Sequence, residues 1–538
     1  MARKPSQKPV RRRAGRALRV VGATSTGVVA VGALAAATLF AGPWASALGT
    51  APAVSTVHDV AVAPAPALLV CPPPAALAEG ANVGDSQFTA TPVETQSTVV
   101  AGVLGTGGDA TWSPSGGDPA PLARGAAAAA GTAPATAGTV VAAVPGAGEP
   151  LRAAGATTSL TTAGDLRGLA SAPCVPPAIS QWIVGGGTEV GTTAVLVVQN
   201  PSERSATVTL DVFGPAGKVA LGSRGTFLVG PGETTRVNVG AAAPDQRRIA
   251  VHVASTGARV AANLQVQSLA GLLPRGVDLL APGAAPARSV TVAGVVSDGQ
   301  PLDDPDAPVL RVLAPEGGPG TARVSIYGED GITRLRGTES VELQPGVVTD
   351  VPLGGLPAGG YVVVVDADVD VVAAAGYSRA AATSPDDVVQ GTMLDVAWAA
   401  GQPLPGPGDH GLVAVPAGTR PILTVGALPE TRDGSDPTGD PVRATVRVYG
   451  LDGAVLTEVG LDLTPGTVQR TAVADWVGES APALVSVDVD GSAEGRVAWA
   501  LELSAGSDLL VSSVAPTPTA EAADRVRVQA VDAQDARR

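Results

Sequence analysis

One phrase is written three times along this chain: Val212-Phe213-Gly214-Pro215-Ala216-Gly217, then Ile326-Tyr327-Gly328-Glu329-Asp330-Gly331, then Val448-Tyr449-Gly450-Leu451-Asp452-Gly453. Each runs an apolar stretch into a Gly-x-x-Gly turn. Each is followed, after a second apolar run, by Pro-Gly at Pro231-Gly232, Pro345-Gly346 and Pro465-Gly466. An internal repeat of this kind fixes the size of the folding unit. Its period slightly exceeds the ~100 residues of an immunoglobulin-type sandwich and is far beyond the roughly 20 to 50 residues of a solenoid unit.

Between the turns the chain is a succession of short apolar or alternating runs separated by Gly, Pro, Asp and Asn, the pattern of an all-β protein. The first unit places strands at 194–198, 207–213, 234–239, 249–253 and 260–266, and the other two repeat that order. Val208, Leu210 and Val212 share one face of a strand, so two such sheets must bury those faces against each other. Val362-Val363-Val364-Val365 lacks alternation. It reads either as an ordinary core strand, the simpler choice, or as one covered on both sides or lying at a domain contact. No helical crossover separates the runs, which favours antiparallel neighbours.

The 538 residues are 45% hydrophobic but only 3% aromatic, with 68 Gly and 47 Pro, so a core must be built mainly from Val, Leu and Ala. Charge is polarised along the chain. Arg3, Lys4, Lys8, Arg11, Arg12, Arg13, Arg16 and Arg19 precede any acid, although the whole chain carries a formal charge of −14. A folded part this acidic argues against nucleic-acid binding. The basic residues lead directly into Val20 to Ala41, which carries no charge, and then Ala45-Ser46-Ala47. That is a membrane-targeting segment, long for a signal peptide and long enough for a single membrane span. Cleaved or retained, it places the chain beyond about residue 50 outside the cytoplasm.

The expected organisation is a basic cytoplasmic leader (1–19), an apolar signal or anchor helix (20–42) and a partly ordered Ala/Gly/Thr/Pro-rich region (51–174). Three tandem immunoglobulin-like antiparallel β-sandwich domains come next (175–287, 288–405 and 406–515), then a polar tail (516–538). Residues 67–70 and 97–104 are expected as strands within the Ala-rich region, and 520–538 as a frayed or helical end. Cys71 and Cys174 are the only cysteines. An exported chain with an even count makes a disulfide between them the economical reading.

Motifs of catalysis are missing. The histidines His58, His252 and His410 are scattered, the only lysine after Lys8 is Lys218, and no metalloprotease, hydrolase-elbow or phosphate-loop pattern occurs. His252 has the parity of a solvent-facing strand position. Acidic clusters at Asp303–Asp306, Asp366–Asp370, Asp433–Asp440 and Asp488–Asp490 lack calcium-loop spacing. Trp112, Trp182, Trp398, Trp476 and Trp499 read as core residues rather than sugar platforms, with Trp182 placed to cover the disulfide. No catalytic residue, cofactor or metal site is expected.

The early Cys71-Pro72, then Cys174, Trp182 and Val195-Leu196-Val197-Val198-Gln199-Asn200-Pro201, resemble the DUF5719 family of exported actinobacterial proteins. The resemblance spans most of 60–515 and implies compartment and lineage, with no activity to carry over. The function expected is a non-enzymatic cell-envelope protein, membrane-anchored or secreted, that binds an envelope protein or a cell-wall component. The alternatives are a carbohydrate-binding or carbohydrate-active ectodomain, and an accessory subunit of a membrane transporter or glycosyltransferase.

Overall fold

The computed structural model describes residues 57–61, 66–77, 95–105, 109–144, 152–381, 391–406, 409–430, 432, 439–490, 495–506, 510–518 and 525–529. The leader and its apolar segment lie outside them. Among the described residues no helix is long and apolar enough to cross a membrane. The chain divides into two units, Met1–Val62 with Arg525–Arg538, and Ala63–Asp524. In the first, Val57–Ala61 pairs antiparallel with Arg525–Gln529, so part of the expected frayed or helical end is a strand.

The second unit is nearly all β and contains four copies of one arrangement. The second copy shows it plainly. Its eight strands are Ser180–Val184, Thr192–Gln199, Ala206–Gly214, Thr226–Val229, Thr234–Asn238, Ala250–Thr256, Ala261–Ala270 and Leu273–Leu280. Numbered in that order, strands 1-6-3-4 form one antiparallel sheet and 5-2-7-8 the other. The third copy (287–400) and the fourth (410–514) have the same two orders. In the third, strands 6 and 7 are a single long strand, Gly359–Ala380, shared by both layers.

The Ala-rich region turns out to be the first copy. Its strands Ala67–Cys71, Gln96–Leu104, Asp109–Ser113, Ala120–Pro121, Ala128–Pro134, Thr139–Val144, Arg152–Thr161 and Gly168–Pro173 fall into the same orders. In each copy a core lies between the layers. Val208, Leu210, Val251 and Val253 meet Leu196, Val198, Ala262 and Leu264 in the second, and Val99, Ala101 and Ala153 meet Leu69, Trp112 and Val141 in the first.

The outer faces of these layers are buried as well, most of them apolar, and each is covered by the neighbouring copy. Trp182, Val184, Phe213 and Ala250 of the second copy pack on Leu313, Val348, Val372 and Ala374 of the third. Ala293, Tyr327, Val362 and Val364 of the third pack on Leu428, Val468, Ala498 and Ala500 of the fourth. Leu412, Ala414, Tyr449 and Leu484 of the fourth pack on Val100, Ala128, Ala154 and Ala156 of the first. Val70 of the first meets Ala261 of the second. Four copies packed in this cycle close a ring of eight layers, so the expected tandem array is not an open string.

Two expectations change accordingly. Val363 and Val365 enter the core of their own copy, while Val362 and Val364 enter the contact with the next, so this strand is covered on both sides. His252 does have the parity opposite to the valines, but its face is covered rather than open, and Trp182 stacks on its ring at 4.2 Å between centroids.

The thrice-written phrase acquires a role from this packing. Its aromatic residue, Phe213, Tyr327 or Tyr449, is a buried contact to the next copy. The turn glycines Gly217, Gly331 and Gly453 have φ of 112°, 103° and 70°. At Gly453 the carbonyl also accepts the N–H groups of Ala127 and Ala128, 3.0 and 3.1 Å away, joining the last copy to the first. A Cβ there would overlap the Ala128 carbonyl oxygen.

Gly453→Ala is therefore expected to lower unfolding stability by clearly more than the ~1 kcal/mol of an unfavourable backbone angle. Gly232→Ala, with φ 67° and open space around it, measures that smaller cost alone. Equal losses for the two in denaturant melts would remove the ring-closing role. Cys71 and Cys174 form a disulfide 103 residues apart in sequence. Reduction is expected to cost about 2–5 kcal/mol, measured as the shift in unfolding between oxidised and reduced protein.

Candidate functional site at the axis of the ring

The eighth strand of every copy is the inner edge of its sheet, and these strands touch in a closed cycle, first to second to third to fourth to first. Apart from Arg275, which pairs with Asp306, their polar side chains gather at the centre. Asp278 of the second copy and Asp395 of the third are each 1% exposed. Asp278 accepts from the backbone N–H of Leu279 at 2.9 Å, the N–H of Trp398 at 2.8 Å and the hydroxyl of Ser512 at 2.8 Å. Asp395 accepts N–H groups from Leu169 at 3.0 Å, Val396 at 3.0 Å and Val511 at 2.8 Å. Two carboxyl groups thus bind all four inner strands together.

Burial pushes the Asp278 carboxyl up to about 8 and that of Asp395 up to about 7, because removing an anion from water outweighs the donors around it. The hydrogen-bond pattern accommodates the proton. Ser512 Oγ accepts the Ser171 N–H at 3.1 Å and lies 3.1 Å from the Ser171 carbonyl. With Asp278 protonated, Asp278 can donate to Ser512 and Ser512 to Ser171, satisfying every group.

At the end of the axis where the eighth strands finish, four proline-rich linkers form a collar. Each pairs with the first strand of its own copy: Val175 with Val70, Gly283 N–H with the Trp182 carbonyl, Gln402–Pro403 with Val290 and Thr291, and Thr517–Pro518 with Gly411 and Leu412. Two cavities open there. One, of about 230 Å³, lies among all four linkers with Trp182 and Trp398 in its wall. The other, of about 420 Å³, lies between the third and fourth copies and reaches Arg152 of the first. Both touch Gln402, Pro516 and Pro518.

Ser180, at the rim of the smaller cavity, is 2.9 Å from His252 Nε2, and Asp211 lies 3.6 Å from His252 Nδ1 on the next strand. These are the three residue types of a hydrolytic triad, but the geometry differs. The Asp–His separation is past hydrogen-bond reach, Lys218 takes the Asp211 carboxylate at 2.9 Å, and Ser180 lies in a regular strand rather than at a turn that aims N–H groups at an oxyanion. Burial lowers the pKa of His252 despite Asp211. The trio acts as a cross-strand ladder beneath Trp182.

The residues singled out from sequence scatter. Cys71 and Cys174 do pair, and Cys174 lines the smaller cavity with Trp182, although Trp182 packs mainly on His252 and Phe213. Among the described residues no group of three or more His, Cys, Asp or Glu is placed to hold a metal. Asp366 is held by Arg432 through two 3.0 Å bonds, Asp306 by Arg275, and Asp488 by Arg152 and Arg447. Most of the Asp433–Asp440 run lies outside the described residues. Asp278 and Asp395 were missed. The available signal was a lone acid inside an apolar strand, Val277-Asp278-Leu279 and Leu394-Asp395-Val396.

Four β-sandwich-like copies closed about a polar hub define an all-β ring scaffold with its concave surface at the axis. The chain belongs to the DUF5719 family, a family of unknown function, whose profile matches residues 126–433 and so begins in the first copy and ends in the fourth. Among curated proteins none matches it.

A carboxyl whose folded pKa is raised favours the fold while protonated. Its contribution is full below about pH 4, where the unfolded group also holds its proton, and is lost as pH rises towards 8. Stability is expected to fall over that window by on the order of a few kcal/mol. Asp278→Asn is expected to flatten the slope, at the cost of an acceptor for Leu279 N–H. An unchanged slope in denaturant melts at successive pH values would remove Asp278 as its source.

Proposed function

We propose that this chain is an exported, non-enzymatic protein of the cell envelope, anchored or released according to the fate of its leader, whose ring offers a rigid surface to an envelope protein or wall component. The observation that carries the reading is the axial mouth. Its linkers are rich in proline and hydrogen-bonded to the ring, so a partner meets a surface that loses little entropy on binding. The basic leader and Val20–Ala41 support export. Acidic composition disfavours nucleic acid as the partner. The loose geometry around Ser180 supports a non-enzymatic role.

The copies read as variants of the immunoglobulin-type sandwich. Strand pairs 2·5 and 3·6 are those of that fold, while strands 1 and 7 have exchanged places. The exchange puts strand 8 beyond strand 7, at the axis.

The full-length chain in detergent is expected to retain an envelope protein or purified cell wall at low and at physiological salt. A fluorophosphonate probe is expected to leave Ser180 unlabelled. Retention of neither partner would overturn the binding role, and labelling abolished by Ser180→Ala would overturn the non-enzymatic one.

A further inference from the structure

We propose that the collar end of the ring faces the membrane and that its axial mouth receives an uncharged loop of a protein embedded in that membrane. The proposal rests on the reading of the chain as an envelope protein, with its leader retained as an anchor, and names the place and kind of its partner.

The chain enters and leaves the ring at the same end. Strand Ala67–Cys71 begins the first copy at the collar, where Val70 pairs with Val175. Thr517–Pro518 closes the fourth copy there too, paired with Gly411 and Leu412, and Pro518 lines both cavities. Upstream of Ala67 lies Val20 to Ala41, an uncharged run long enough for a membrane span. Downstream of Pro518 the chain returns towards its own beginning, since Arg525–Gln529 pairs with Val57–Ala61. Both connections of the ring to the rest of the chain therefore start from the collar, and an anchor upstream draws that end to the bilayer.

Charge selects what the mouth meets there. The four linkers, residues 174–179, 281–286, 401–406 and 515–518, contain no charged residue. Turns at the far end of the axis, after the first and fifth strands, carry Glu189, Asp245, Arg247, Asp303 and Asp304. A neutral collar gains nothing from anionic lipid, which attracts basic segments. Ile179 is the only large apolar side chain exposed among these linker residues, too little to carry the ring into the bilayer.

The mouth does offer two cavities, of about 230 and 420 Å³, walled largely by Pro, Ala and Trp. The ionic residues of the larger are already engaged: Arg152 and His410 lie against Asp488, and Asp409 accepts the Gly406 N–H. Such pockets seat the apolar anchor side chains of a protein partner. A neutral loop fills them without burying an unpaired charge.

Cys71 and Cys174 are joined, so a cysteine introduced elsewhere is labelled alone. Ile179→Cys marks the collar and Leu302→Cys, also exposed, the far end. The full-length variants carry a donor dye into vesicles of phosphatidylcholine and phosphatidylglycerol that hold a head-group acceptor. Transfer from position 179 is expected to exceed that from 302 by a separation on the order of 30 Å, the length of a strand such as Ala206–Gly214. Equal or reversed transfer overturns the orientation, as does a mature chain that begins after Ala47. A photo-crosslinker at position 179 in whole cells is expected to join an integral membrane protein, and the same group at 302 is not. Ala285→Trp, on an exposed residue lining the smaller cavity, is expected to cut retention of that protein in detergent about ten-fold or more, with the unfolding midpoint unchanged. Cross-links to lipid alone, equal cross-linking from 302, or retention that Ala285→Trp leaves intact overturn the docking. Retention of cell wall or a soluble envelope protein, with the collar turned from the bilayer, removes this inference and keeps the wider reading. Loss of all retention with the collar nearest the bilayer removes the wider binding role and leaves the orientation.

Discussion

A layer with two apolar faces cannot end against water, and this constraint organises the whole second unit. An antiparallel sheet commonly buries one face and solvates the other. Here the central strands are buried on both, as Val362 to Val365 show by entering two different clusters, and where the outer face is polar, as at Asn263, Gln265 and Gln267, those side chains are buried too. A single sandwich satisfies only the inner faces. Stacking copies satisfies the outer faces of interior copies but leaves two at the ends exposed, and closure of the fourth copy on the first buries those too. The copies therefore depend on one another for stability in a way that beads on a string do not.

The four seams are not equal. Three carry an aromatic side chain, Phe213, Tyr327 or Tyr449, at the residue before the first turn glycine. Those three residues pair with Ala250, Val362 and Leu484 on strand 6, and the first copy's corresponding residue, paired with Val140, is Ser113. The seam it makes with the second copy joins Val70 and Val175 to Ala261 and Ala281, and nearer the axis Ala75, Leu166, Ala170 and Ala172 to Val277 and Leu279. Polar bonds supplement it: Gln265 holds both backbone groups of Ala76, and Arg236 reaches the Pro74 carbonyl. The disulfide lies beside this seam, Cys71 and Cys174 being adjacent in sequence to Val70 and Val175. A covalent tie thus sits at the seam that lacks the aromatic contact. At the seam between the third and fourth copies ion pairs add directional contacts, the buried Glu502 between Arg379 and Arg470 and the half-buried Asp366 beside Arg432. Such pairs add little net stability, but they penalise a wrong neighbour.

Three copies were legible because the second glycine of each Gly-x-x-Gly, Gly217, Gly331 or Gly453, takes a positive φ that only glycine adopts cheaply. The first copy was hidden for the converse reason. Its third strand, Asp109–Ser113, runs into Pro114-Ser115-Gly116-Gly117, a 3-10 turn with proline at the first glycine position and Ser113 in place of the aromatic, and its seam with the fourth copy is built largely from alanine. Strand 8 was hidden too. Leu273-Pro274-Arg275-Gly276-Val277-Asp278 contains proline, glycine and charge, and reads as a loop until three other strands supply its environment. Ring closure joins residues more than 300 apart, such as Arg152 and Asp488, and no local period encodes it.

The polar hub is the part of the axis that apolar packing could not specify. Valine and leucine on four converging strands would pack in more than one relative register, since dispersion contacts are non-directional. A carboxyl group that must meet the Trp398 N–H of one neighbour with Oδ2 and the Ser512 hydroxyl of another with Oδ1 admits only one. Asp395 adds the same demand on Leu169 and Val511. The raised pKa of both groups is the energetic cost of that specificity, and it falls at the point where an error of register would propagate to every seam. The same fixed register sets where the four linkers begin, so the shape of the axial mouth derives from two carboxyl groups that lie beneath it.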